Sequence, residues 1–105
     1  MLSRRRDSMY AIALVRYRRP LEEVLKHLDA HRTYLGELKK QGRLLASGPL
    51  DPRHGGALLL RVPDDGVAQH LDRIREEDPF VKAGVAQYEI WPWAPNIGKD
   101  DLDRL

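Results

Sequence analysis

Two short apolar runs flank the densest cluster of turn-forming residues in the chain, and the remaining pattern is arranged about them. Arg43-Leu44-Leu45-Ala46-Ser47-Gly48-Pro49-Leu50 leads into Asp51-Pro52-Arg53-His54-Gly55-Gly56, and Ala57-Leu58-Leu59-Leu60-Arg61-Val62 follows. Runs too short for helices, separated by Pro, Asp and Gly, predict a β-hairpin. Upstream, Tyr10, Ile12 and Leu14 lie on one parity and Ala11, Ala13, Val15 and Tyr17 on the other. That pattern predicts a strand over 9–18 with both faces covered. Leu21, Val24, Leu25, Leu28, Leu35 and Leu38 then fall at helical spacing, with Pro20 before them and Lys39, Lys40 and Gly42 at the end. One continuous helix through residue 40 is expected. After the hairpin, Pro63-Asp64-Asp65-Gly66 opens a second helix, an aspartate being the expected N-cap, and Val67, Leu71 and Ile74 form its apolar stripe. Pro79 ends that helix at Asp78, Phe80 to Gly84 read as one packed turn, and 85–93 is the fourth strand.

The order β-α-β-β-α-β defines a ferredoxin-like α+β fold with a four-stranded antiparallel sheet. Two helices cover one sheet face and leave the other bare. Leu59 opposes Leu58 and Leu60 in parity, so at least one leucine points away from the helices. Packing of two such faces, about 10 Å apart, predicts a homodimer. Residues 1–8 are expected to be an extension, 9–95 the folded domain, and 96–105 a tail or a short helix laid on a partner.

Two residues interrupt the apolar stripes. Between Leu28 and Leu35 the core-facing position holds His31, and four residues beyond Ile74 comes Asp78. A histidine and an aspartate both aimed at the sheet can meet, the carboxylate fixing the imidazole tautomer. Such a pair can act as general base and then general acid. The same pair is also compatible with a polar fixture of the core.

Composition narrows the chemistry. The 105 residues suffice for one domain with a small core. No cysteine is present, which removes thiolate ligands and cysteine nucleophiles and fits a cytoplasmic protein. A net charge of +2 gives no basic face for nucleic acid apart from Arg4-Arg5-Arg6 and Arg16, Arg18 and Arg19, and no apolar run is long enough to span a membrane. His27 and His31 are spaced for two metal ligands but lack a third, so no metal is expected. Ser47 lacks the glycines of a nucleophile elbow; Ser47 and Gly48 instead suit ligand contact at a strand end, a bulge being the alternative. Trp91 and Trp93 read as interface or core.

Taken together, Ala30-His31-Arg32-Thr33-Tyr34-Leu35, Gly42-Arg43-Leu44-Leu45-Ala46-Ser47-Gly48-Pro49 and Asp78-Pro79-Phe80-Val81-Lys82-Ala83-Gly84-Val85 resemble the YciI-like (YCII) family. The resemblance spans about 9–93. It implies a dimeric α+β barrel in which His31 and Asp78 match the family's His-Asp pair beside a small pocket, with Ser47, Gly48 and Pro49 as substrate contacts. The family includes a dehydrochlorinase of chlorinated hydroxyquinols, and related folds include muconolactone isomerases. The implied function is cofactor-free proton transfer, by elimination or isomerisation, on a small acid or phenol. The alternative is a non-catalytic ligand-binding or interaction module. Some relatives carry an arginine three residues before the histidine, where this chain has Leu28.

Overall fold

The computed structural model describes residues 8–105. The expected extension, with Arg4-Arg5-Arg6, lies almost wholly outside the described residues. The hairpin forms as β2 (Leu44–Pro49) and β3 (Gly55–Pro63). With β1 (Ser8–Tyr17) and β4 (Ala86–Trp93) it builds a four-stranded sheet in the order β2-β3-β1-β4, every neighbouring pair antiparallel. This is the ferredoxin-like arrangement.

The central strands explain their own sequences. Ala11 and Ala13 of β1 stand opposite Leu60 and Leu58 of β3, and all four are buried among Val24, Leu35, Leu71 and Ile74. Small residues at the middle of the sheet give the longer helix side chains room to interdigitate. On the other face Ile12 pairs with Leu59 and Trp91; the first two are half-buried, whereas Trp91 is 59% exposed.

Three expectations change in detail. The first helix is two pieces, α1 (Leu21–Leu25) and α2 (Leu28–Lys40). Lys26 and His27 donate their backbone N–H groups three residues back, to Glu23 and Val24, which tightens the turn and redirects the axis. No Pro or Gly marks this break, and the apolar spacing runs on through it, so periodicity did not register it. The next helix, α3 (Val67–Glu77), is preceded not by a capping aspartate but by Gly66 at φ 80°, without a side-chain cap. The left-handed glycine turns the chain after Asp64 and Asp65, leaving both too early to cap. Finally, 96–105 includes a short helix, α5 (Lys99–Asp103), that lies on its own chain. Tyr10 donates its hydroxyl to Asp103 Oδ1 at 2.6 Å, while Arg61 donates to the carbonyls of Leu102 at 3.2 Å and Leu105 at 2.8 Å. Tyr10, at one end of the open sheet face, is thereby only 2% exposed.

Candidate active site

Asp78 owes its position to the proline after it. Pro79 keeps Asp78 extended, at φ −69° and ψ 127°, so α3 stops and the short α4 (Pro79–Lys82) begins. Asp78 caps α4 by accepting the Phe80 N–H on Oδ1 at 2.8 Å. The same oxygen lies 2.9 Å from His31 Nδ1, and Oδ2 accepts the Tyr88 hydroxyl at 2.5 Å. Asp78 is fully buried, and these three groups satisfy it.

His31 projects from α2 with its ring stacked on Phe80, the centroids 3.8 Å apart and the planes 5° from parallel. Tyr17 supports Phe80 edge-on at 6.0 Å. An ionised carboxylate only accepts, so the neutral imidazole carries its proton on Nδ1 and leaves Nε2 an acceptor. Nε2 makes no hydrogen bond within the protein, yet among the described residues no buried side-chain nitrogen or oxygen lacks a partner. Nε2 therefore reaches accessible space, and the space beside His31 is a cavity.

Two tyrosines fix the surroundings. Burial, then the Asp78 charge and hydrogen bond, drives the Tyr88 hydroxyl pKa far above its ordinary value, so it remains a donor to Asp78. Burial, then Glu77 and Asp78, raises Tyr34 similarly; its hydroxyl donates to the Ile74 carbonyl at 2.7 Å and ties α2 to α3.

The cavity, of about 260 Å³, opens between α2, α4 and the ends of β1, β2 and β3. Its apolar walls include Val15, Leu28, Leu35, Leu58 and Phe80. His31, Ser47, Gly48 and Pro49 also line it, so four of the five predicted site residues reach the space directly while Asp78 stands behind His31. A register shift between Leu44 and Ala46 places Ser47 there. Leu44 pairs with Leu60 but Ser47 with Leu58, so the extra residue flips parity and turns Ser47 toward the helix layer. The bulge thus occurs, but just before Ser47. Among the described residues no other atom approaches within 4 Å of a Cβ built on Gly48, so their packing does not require glycine there. Gly55 is different: a Cβ would lie 2.3 Å from the Val15 carbonyl oxygen, at the cavity's strand end.

Tyr88, Arg32 and Arg53 were absent from the sequence-level site. Tyr88 carried a usable signal, because an inward-facing tyrosine on β4 needs a partner for its hydroxyl. Arg32 and Arg53 also line the cavity, but surface arginines look alike in sequence. His27 sits at the break between α1 and α2. Among the described residues no group of three or more His, Cys, Asp or Glu is arranged to hold a metal ion.

Residues 9–94 match the YCII-related domain. The chain belongs to this family. No curated protein matches the sequence. Among solved structures, the chain is similar to the 5-chloro-2-hydroxyhydroquinone dehydrochlorinase TftG from Burkholderia phenoliruptrix AC1100, determined in complex with 2,5-dihydroxybenzoquinone. The TM-score is 0.66 at 23% identity, covering 82% of this chain and 95% of that one. At that identity the likeness establishes the shared fold.

Proposed function

We propose that this protein is a cofactor-free proton-transfer enzyme acting on a small ring-containing acid or phenol, by elimination or isomerisation. The observation that carries the reading is the arrangement of His31: Nδ1 lies on the fully buried Asp78 carboxylate, Nε2 has no hydrogen-bond partner among the described residues, and the side chain lines the cavity. His31 Nε2 takes a proton from a substrate carbon, and the bonding electrons shift to expel an adjacent leaving group or move a double bond; the imidazolium then gives its proton to the departing anion in elimination, or to the far carbon in isomerisation. Asp78 is a positioning residue that orients the ring and balances the imidazolium charge. Ser47, Gly48 and Pro49 contact the substrate.

Size supports a single ring. A cavity of about 150 Å³ holds benzene, so about 260 Å³ accommodates one ring with substituents. The chlorinated hydroxyhydroquinone of the structural neighbour belongs to that size class. We also propose a homodimer formed by the open sheet face: Ile12, Leu14 and Leu59 lie on it beside the exposed Trp91, and apolar runs on both parities of β1 and β3 call for cover on both sides. Leu59→Arg should give a folded monomer by light scattering; an unchanged dimer would exclude this face.

The catalytic test is turnover of chlorinated hydroxyhydroquinones and small lactones by wild type and His31→Ala. A loss of about 10²–10⁴-fold with circular dichroism retained is expected. Equal turnover by the variant would remove His31 from the reaction. A folded wild type without turnover on the whole panel would favour the ligand-binding module.

A further inference from the structure

The cavity walls carry three basic residues, His31, Arg32 and Arg53, and no acidic one. Arg32 comes from α2, one residue after the histidine; Arg53 comes from the turn between β2 and β3. Several arginines elsewhere find partners among the described residues: Arg16 pairs with Glu89, Arg75 with Asp72, Arg104 with Asp101, and Arg61 holds two carbonyls near the C-terminal end; Arg19 and Arg73 do not, but neither lines this cavity. Arg32 and Arg53 have neither an ion pair nor a hydrogen bond from their side chains. Asp78, the nearby buried acid, is turned away from the cavity and committed to His31, Tyr88 and the Phe80 N–H. The opening is therefore positively charged over an apolar floor, without an internal counter-ion.

We infer that Arg32 and Arg53 form a two-sided clamp for the oxyanion of the ligand, its ring lying against Phe80 and Leu35 and its reacting atom near His31 Nε2. This inference rests on the proposed function only in taking the cavity as the ligand site. Leu28 lines the same cavity and supplies no charge, so the cationic contribution comes from these two positions. Guanidinium forks suit carboxylate and phenolate oxygens because several N–H donors converge on one anion. For a phenol, the clamp also favours the phenolate over the neutral hydroxyl.

The test is binding of three probes followed by NMR at the Ser47 and Gly48 amides: benzoate, p-nitrophenolate and the neutral benzyl alcohol. Wild type should bind benzoate at least about tenfold more tightly than benzyl alcohol, with the difference shrinking as salt is added. The Arg32→Gln/Arg53→Gln double variant should bind the two about equally, while Arg73→Gln, outside this cavity, keeps the wild-type preference. p-Nitrophenolate matching benzoate extends the clamp to phenolates; p-nitrophenolate binding no better than benzyl alcohol overturns it for phenolates. An unchanged preference in the double variant, or a wild type that binds neither benzoate nor p-nitrophenolate in preference to benzyl alcohol, overturns the inference. His31→Ala should retain the benzoate preference, so a failed clamp and a failed catalytic role give different results.

Discussion

Two aspartates in this molecule are held by similar donors. Asp78 accepts the Tyr88 hydroxyl at 2.5 Å and faces the His31 imidazole at 2.9 Å. Asp103 accepts the Tyr10 hydroxyl at 2.6 Å and the Lys99 ammonium at 2.7 Å. The first network is closed off in the core, with a cavity on the far side of its basic member; the second pins α5 to the sheet near solvent. Lysine keeps its proton across the neutral range, so the Asp103 network is a clasp. An imidazole can give and take a proton there, so the Asp78 network can do chemistry. A carboxylate with a tyrosine and a base is therefore not itself a candidate site; an exchangeable partner lining a cavity makes the Asp78 network one.

Removing each carboxylate should separate the two most sharply. Asp78→Ala leaves the Tyr88 hydroxyl, the Phe80 N–H and the His31 ring without their buried acceptor, and should cost about 3–5 kcal/mol in urea unfolding. Asp103→Ala should leave the midpoint nearly unchanged and alter amide exchange only in α5 and around Tyr10. Comparable losses from both would erase the distinction.

The contrast also shows why one network was legible in the sequence and the other was not. His31 and Asp78 each interrupt an apolar stripe, and a polar residue at a core position demands a partner. Asp103 lies in a polar stretch where every residue suits solvent, and its partner Tyr10 is 93 residues away. The sheet order and the covered face followed from two periodicities and a strong turn. The break at Lys26 and His27 did not, because i→i−3 bonds redirect a helix without disturbing its apolar spacing. The sequence offers Ser47 as a candidate ligand contact or a bulge, yet the register shift that aims it at the helix layer depends on pairing with β3, which sequence alone does not define.

A second, smaller effect concerns the tyrosines. Tyr88 and Tyr34 have hydroxyl pKa values raised by burial and nearby negative charge. Their contribution to stability is full below the unfolded tyrosine value of about 10 and is lost as pH rises through the folded values, because the unfolded chain there binds fewer protons. Stability should thus fall with pH above about 10. Tyr88→Phe should flatten that fall while costing about 1.5–3 kcal/mol at neutral pH, since a hydrogen bond to a charged carboxylate is removed. An unchanged alkaline slope would contradict the burial of an un-ionised Tyr88.

The smallest effect is at the clasp. The hydrogen bond from Lys99, then that from Tyr10, holds the Asp103 pKa below the ordinary carboxylate value. Its contribution is present above about pH 4 and fades as pH falls through the folded value. The Tyr10 ring and α5 amide resonances should shift together in that acid range while those of His31 and Phe80 do not follow. Coincident movement of both sets would mean that α5 unfolds with the core.

The most direct measurement is ¹⁵N NMR of the His31 ring at about pH 8.5, roughly two units above the free histidine value, in wild type and Asp78→Asn. A proton on Nδ1 and a bare Nε2 are expected in wild type, with a weakened preference in the variant and movement of the Nε2 signal when benzoate is added. A wild-type ring protonated on Nε2, or an Nε2 signal indifferent to every ligand that perturbs Ser47 and Gly48, would contradict a catalytic base aimed at the cavity.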